Sequence, residues 1–235
     1  MVLPPDHGPT KAPDGGANVW SARIYLARHG RTTLNAAGAL RGHIDVPLDS
    51  VGHHQASLLG AELAGRNPGV IISSPLRRAL ETAAPLAQRT SLVTVIDKRL
   101  TDRHYGEWAG VRSSDVVARW GSLDAAPGVE PADEVRDRVL AALIDVAESA
   151  GGTAAVVVSH DAVNRIALSA LDPSLGAPDA LAQETGCFNT LECHKQANGQ
   201  LGWSVLSINQ VPQGEVFTFG PELVVLGLRK GLVTG

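Results

Sequence analysis

Two periodicities of apolar residues alternate along this chain. Short apolar runs at residues 23–27, 70–72, 92–96 and 154–158 have the length and β-branched content of strands. The last of them, Ala154 to Val158, is unbroken, as expected of a central strand covered on both faces. Between the runs the spacing becomes helical. Residues 50–66 carry Val51, Leu58, Leu59 and Leu63 on one face, with Asp49 or Ser50 as the cap. Residues 75–88 open on a proline in the first turn. Residues 133–150 hold the clearest stripe, Val135, Val139, Leu140, Leu143, Ile144 and Ala147, closed by Gly151-Gly152. Shorter helices are predicted at 113–119 and 161–171, and 121–131 reads as a loop. Strands alternating with helices predict an α/β fold, a three-layer sandwich whose mostly parallel central sheet is flanked by helices.

The ends of the chain lack such a pattern. Residues 1–20 are rich in Pro and Gly and are expected to be a mobile tail. Residues 21–212 then form a single domain, and 213–235 an extension without an assigned role. Within that extension, 223–228 fits a further strand, an edge cover or a subunit contact equally well.

Composition removes several classes of function. With 44% apolar and 19% charged residues, the 235-residue chain can bury a sizeable core. A net charge of −4 gives no basic footprint, so no nucleic-acid partner is expected. No run reaches the ~18 apolar residues of a membrane span, and the start lacks a charged-then-apolar leader pattern. Cys187 and Cys193 would share a strand face too far apart to bridge, so they read as buried thiols in a reduced, cytoplasmic setting. Oligomeric state is open, a homodimer included.

Candidate chemistry gathers at strand ends, where open α/β sheets place ligands. Arg28 and His29 follow the first strand directly. His160 closes the fourth strand and opens a helix, whose free N–H groups suit an anion. Arg78 lies early in a helix that also follows a strand. Three strand ends thus present two histidines and two arginines, a placement that suits an anion. His53, His54 and His104 have bland readings as solvated or structural residues, and His7 lies in the tail.

The segments LARHGRTTLN, GHIDVPLDSVGHHQA, SSPLRRALETA, DRHYGEWAG and VVVSHDAVNR stand in this order between residues 26 and 165. On them the chain resembles the histidine phosphatase superfamily, which includes the cofactor-dependent phosphoglycerate mutases and many phosphatases. The resemblance covers roughly residues 23–208 and implies a phosphoglycerate mutase-like fold. It also implies a covalent route in which His29 attacks phosphorus. Arg28, Arg78 and His160 would hold the phosphoryl oxygens, and Asn35 would donate a further hydrogen bond. No metal or other cofactor is expected, since the arginines supply positive charge.

The proton donor in such enzymes precedes a G-x-W-x-G segment, here at Asp102. Mutases commonly carry glutamate there, and Glu107 is the alternative. A second departure is Asp161 after His160, where many relatives have glycine; a helix cap is the expected use. Tyr105 is expected at the pocket wall, and Arg41 offers a contact for a second anionic group. Loops 36–45, 104–131 and 183–190 are expected to read the leaving group. The short stretch between the G-x-W-x-G segment and residue 133 favours hydrolysis of a small phosphate ester over transfer. A phosphoglycerate mutase and a catalytically silent phosphate-binding domain are the alternatives.

Overall fold

A computed structural model describes residues 18–214 and the backbone pairing of Thr218–Phe219 with Glu222–Leu223. Most of the expected N-terminal tail and of the C-terminal extension, including 224–228, lies outside the described residues.

Six strands form one sheet: β1 (Asn18–Arg28), β2 (Pro68–Ser73), β3 (Thr94–Ile96), β4 (Ala154–Ser159), β5 (Phe188–Gln196) and β6 (Leu201–Gln210). Their order is β3-β2-β4-β1-β5-β6. β3, β2, β4 and β1 run parallel, whereas β5 and β6 add an antiparallel edge. The sheet is therefore mixed, with its parallel half as expected from the sequence. β1 also begins at Asn18, inside the segment read as tail, because its start pairs with the far end of β5 at Gln196.

Among the described residues six α-helices accompany the sheet: α1 (Thr33–Ala36), α2 (Ser50–Ala64), α3 (Arg77–Thr90), α4 (Ser113–Trp120), α5 (Ala132–Ala150) and α6 (Asp161–Leu171). Asp49 caps α2 by accepting from the Gly52 amide at 2.8 Å, and Gly151 ends α5 at a φ of 56°. Helix α3 starts two residues later than its proline suggested. Ser74 and Pro75 form the turn before it, and extended Leu76 is its N-cap.

Alternation along the strands builds two cores. Ile24, Leu26, Ala155 and Val157 face α5 and α6. Tyr25, Ala27, Val156 and Val158 face α2 and α3 with Leu59, Leu63, Ala83 and Leu86. A smaller cluster of Leu40, Tyr105, Trp108, Val116 and Ala126 packs apart from both. Cys187 and Cys193 are both free and buried. Among the described residues no helix is long and apolar enough to cross a membrane.

Candidate active site

The ends of β1 and β4 lie side by side, with Arg28 opposite Ser159, so the residues that follow, His29 and His160, are neighbours. The two rings lie 5.2 Å apart, and both are fully buried. The His29 backbone is held by its N–H to the Ser159 carbonyl at 3.0 Å and by the Gly186 N–H to its own carbonyl at 3.1 Å. The next residue must be glycine: a Cβ on Gly30 would stand 2.5 Å from the Gly52 carbonyl oxygen. That close approach lets the turn pack on α2, while the Gly30 N–H reaches Thr82 Oγ1 on α3 at 3.0 Å.

His29 Nδ1 donates to the Gly30 carbonyl at 2.7 Å. A neutral ring fixed in this way presents the lone pair on Nε2, which has no hydrogen-bond partner. Burial holds the ring well below the usual imidazole pKa, with help from Arg78, Arg28 and Arg41 in that order. Desolvation thus outranks the repulsion from the three arginines in keeping the ring neutral. His160 is lowered for the same leading reason, followed by Arg78. Its Nε2 is hydrogen-bonded to Ser74 Oγ at 2.7 Å, a partner the sequence reading missed although Ser74 stands at the end of β2.

Arg78 has no exposed surface. Its Nη1 donates to the Ile44 carbonyl at 2.9 Å and its Nη2 to that of Gly42 at 2.8 Å and to Asp102 Oδ2 at 3.0 Å. Asp102 is buried as well, accepts from the Arg103 N–H at 2.9 Å, and lies 4.0 Å from His160 Nδ1. Glu107 is exposed, on the short turn Gly106–Trp108. His43, from the loop that holds Arg78, is hydrogen-bonded through Nε2 to the Asp102 carbonyl at 2.9 Å.

Arg28 donates through Nη1 to the Gln183 carbonyl, and the same nitrogen lies 3.6 Å from Asp161 Oδ1. Asp161 does not cap α6. The N-cap is His160, without a side-chain cap bond, and the Asp161 carboxylate accepts from Arg165 Nε one turn on at 2.6 Å. A guanidinium four residues along the helix outcompetes the backbone for it.

Asn35 is half-buried and committed locally: its Oδ1 accepts from Thr32 N at 3.0 Å and Thr32 Oγ1 at 2.8 Å, closing a capping box on α1. Arg41 and Tyr105 line a cleft of about 290 Å³ together with Arg103, Asp124, Asp161 and Arg165. Burial, with the Asp102 charge second, pushes the Tyr105 phenol above its ordinary range. Loops near 38–41 and 123–124 line this cleft together with 178–179 and α6, whereas 183–190 do not. Trp108 is packing, with its indole N–H on the Pro127 carbonyl at 2.8 Å.

Among the described residues, five of the nine buried side-chain polar atoms without a partner are Arg28 Nε, His29 Nε2, Arg41 Nε, Arg78 Nε and His160 Nδ1. Unpaired buried nitrogens each cost about 1–3 kcal/mol. Their concentration in residues around one spot marks it as built to receive an oxygen-rich anion.

The profile of the histidine phosphatase superfamily (branch 1) matches residues 24–206. The chain belongs to this superfamily. It is 41% identical over 106 residues to a glucosyl-3-phosphoglycerate phosphatase of Mycolicibacterium vanbaalenii, a match covering 45% of this chain and 44% of that protein. It is 33% identical over 155 residues to a metal-independent phosphoserine phosphatase of Arabidopsis thaliana, covering 60% and 65%. The matched stretch thus spans less than half the length of the mycobacterial relative. The phosphoglycerate mutase of Bacillus anthracis superposes with a TM-score of 0.72 at 23% identity, covering 82% of this chain and 94% of that one, and shares its fold.

Proposed function

We propose that this histidine phosphatase family member hydrolyses phosphomonoesters of a small metabolite through a phosphohistidine on His29. The observation that carries the reading is the tautomer lock: Nδ1 is committed to Gly30, and Nε2 is left unprotonated and unpartnered among the arginines. His29 Nε2 attacks phosphorus as the bond to the leaving oxygen breaks, and Asp102 relays to that oxygen the proton carried by the monoanionic ester. Water then attacks the phosphohistidine as its P–N bond breaks, Asp102 takes the water's proton and passes it to the departing phosphate, and His29 is restored. Arg28, Arg78 and His160 hold the phosphoryl oxygens where charge is greatest, the larger part of catalysis in phosphoryl transfer. Asn35 would contribute its amide N–H₂, because its carbonyl oxygen is occupied.

Asp102 is preferred to Glu107 because it is buried beside Arg78 and His160, whereas Glu107 faces solvent. Arg41 in the cleft suits a carboxylate on the leaving group, a feature that phosphoserine and phosphoglycerate derivatives share. Neither a nucleic acid nor a metal enters this scheme, and the two reduced, buried cysteines fit a cytoplasmic enzyme.

The test is release of p-nitrophenol from p-nitrophenyl phosphate in chelator, together with acid-sensitive labelling of the protein by a ³²P-phosphoester. Wild type should show both and His29→Ala neither. Interconversion of phosphoglycerates with little free phosphate would establish the mutase instead, and a folded wild type without either activity would point to the silent domain.

A further inference from the structure

Residues 183–190, expected to help read the leaving group, lie against Arg28. Three main-chain contacts join this segment to the catalytic turn. The Gln183 carbonyl accepts from Arg28 Nη1, the Cys187 carbonyl accepts from the Arg28 N–H at 2.9 Å, and the Gly186 N–H donates to the His29 carbonyl at 3.1 Å.

The segment is itself fixed by two buried side-chain amides. Gln183 Nε2 donates to Asn189 Oδ1 at 2.7 Å, and Asn189 Nδ2 returns a bond to Gln183 Oε1 at 2.9 Å. Each of these four atoms has a second partner. Gln183 Nε2 also meets the Ala182 carbonyl and Oε1 the Cys187 thiol, while Asn189 Nδ2 reaches the Leu26 carbonyl and Oδ1 the Asn209 N–H. Such a fully satisfied network favours a single geometry over neighbouring ones.

We propose that Gln183 and Asn189 are positioning residues: their reciprocal amide pair holds the Gln183 carbonyl where it retains the Arg28 guanidinium beside His29 and away from Asp161. This rests on the reading that Arg28 holds a phosphoryl oxygen. Arg28 Nη1 has a choice of two acceptors, the neutral Gln183 carbonyl and the Asp161 carboxylate 3.6 Å away. Attraction alone favours the carboxylate. A carbonyl free to drift would release the guanidinium to Asp161, and a charge closely neutralised there serves a phosphate poorly. Geometry imposed from the amide pair keeps that charge available.

Gln183→Met tests this, since it keeps the length of the side chain and the backbone carbonyl while removing both amide bonds. Inorganic phosphate binding, followed by calorimetry, should weaken about tenfold, the equivalent of one charge-assisted hydrogen bond. In an Arg28→Ala background the same substitution should add nothing, although it should lower the melting temperature in both backgrounds.

A second readout needs neither turnover nor ligand. The His29 ring, assigned by His29→Ala and titrated by NMR, faces the cations Arg28, Arg41 and Arg78 and the ring of His160. Its midpoint should rise when Arg28 is drawn away, and should not respond to Gln183→Met once Arg28 is alanine. An unchanged midpoint and unchanged phosphate affinity in a folded Gln183→Met protein would overturn the proposal. So would equal losses of affinity in the two backgrounds, which mark a merely structural role. Failure of wild type to hydrolyse esters would sink the proposed function and leave this measurement intact.

Discussion

Arg78 and Asp102 form an ion pair, Nη2 to Oδ2 at 3.0 Å, in which neither side chain is exposed to solvent. Removing one partner of such a pair leaves a buried charge uncompensated, a loss of about 3–5 kcal/mol. Asp102→Ala should therefore lower the urea midpoint markedly. Asp102→Asn, of equal size, separates folding from chemistry. It should reduce kcat by about 10²–10⁴, the range for loss of a general acid and base, while phosphate binding is kept. Glu107→Gln should leave kcat unchanged, and a large loss there would move the proton donor to Glu107.

Burial and the three arginines set the acid limit of activity. In the proposed mechanism His29 attacks only when neutral, and burial holds its pKa well below the usual imidazole value, so the acid limb of kcat/KM should fall below pH ~6.5. A limb at or above that value would contradict the arrangement.

The same two histidines make stability fall with acid. In the folded state His29 and His160 resist protonation, whereas the unfolded chain accepts protons from about pH 6.5 downward. The unfolded state then binds more protons, so stability is full above that pH and declines below it. Urea denaturation at pH 7 and pH 5 should show a lower midpoint at pH 5, with part of the difference absent in His160→Gln.

Arg41 lies in the cleft with an unpartnered Nε and is half-buried. Arg41→Gln should raise KM for carboxylate-bearing esters such as phosphoserine by about tenfold, the worth of one charge-assisted bond. For p-nitrophenyl phosphate, which lacks the carboxylate, KM should change little. Equal losses on both esters would instead give Arg41 a general role at the phosphate.

Gly30→Ala should be costly without touching charge. The new methyl would stand 2.5 Å from the Gly52 carbonyl oxygen, with backbone on both sides, so the turn or α2 must shift. A loss of about 1–3 kcal/mol in chemical denaturation is expected, with a fall in kcat from displaced His29.

The parallel half of the sheet was legible because buried strands such as β4 are unbroken apolar runs and the helices between them carry full stripes. The site was legible where motifs follow those strands. Of the antiparallel edge only the cysteine-bearing segment was considered as a strand, whereas β6 was not, since it mixes polar and apolar residues and is only partly buried. Its signal was the Asn198-Gly199 pair, which closes a hairpin through the bond from Gln196 N to the Gln200 carbonyl at 2.8 Å. Asn35 and Asp161 illustrate a different limit. Each has a second partner within one helical turn, Thr32 and Arg165, and a short polar side chain gives no sign of which partner wins. Gln183 was hidden for a related reason: its contact with Arg28 runs through a backbone carbonyl, which any residue supplies.

The residues proposed to hold phosphate sit at the ends of β1 and β4 and at the start of α3, whereas part of the cleft wall comes from connections near 38–41, 123–124 and 178–179. Those connections belong to neither of the two main core clusters, so change there leaves both layers in place. A lineage built this way can trade one metabolite for another by drift along its rim, with the reaction itself inherited intact.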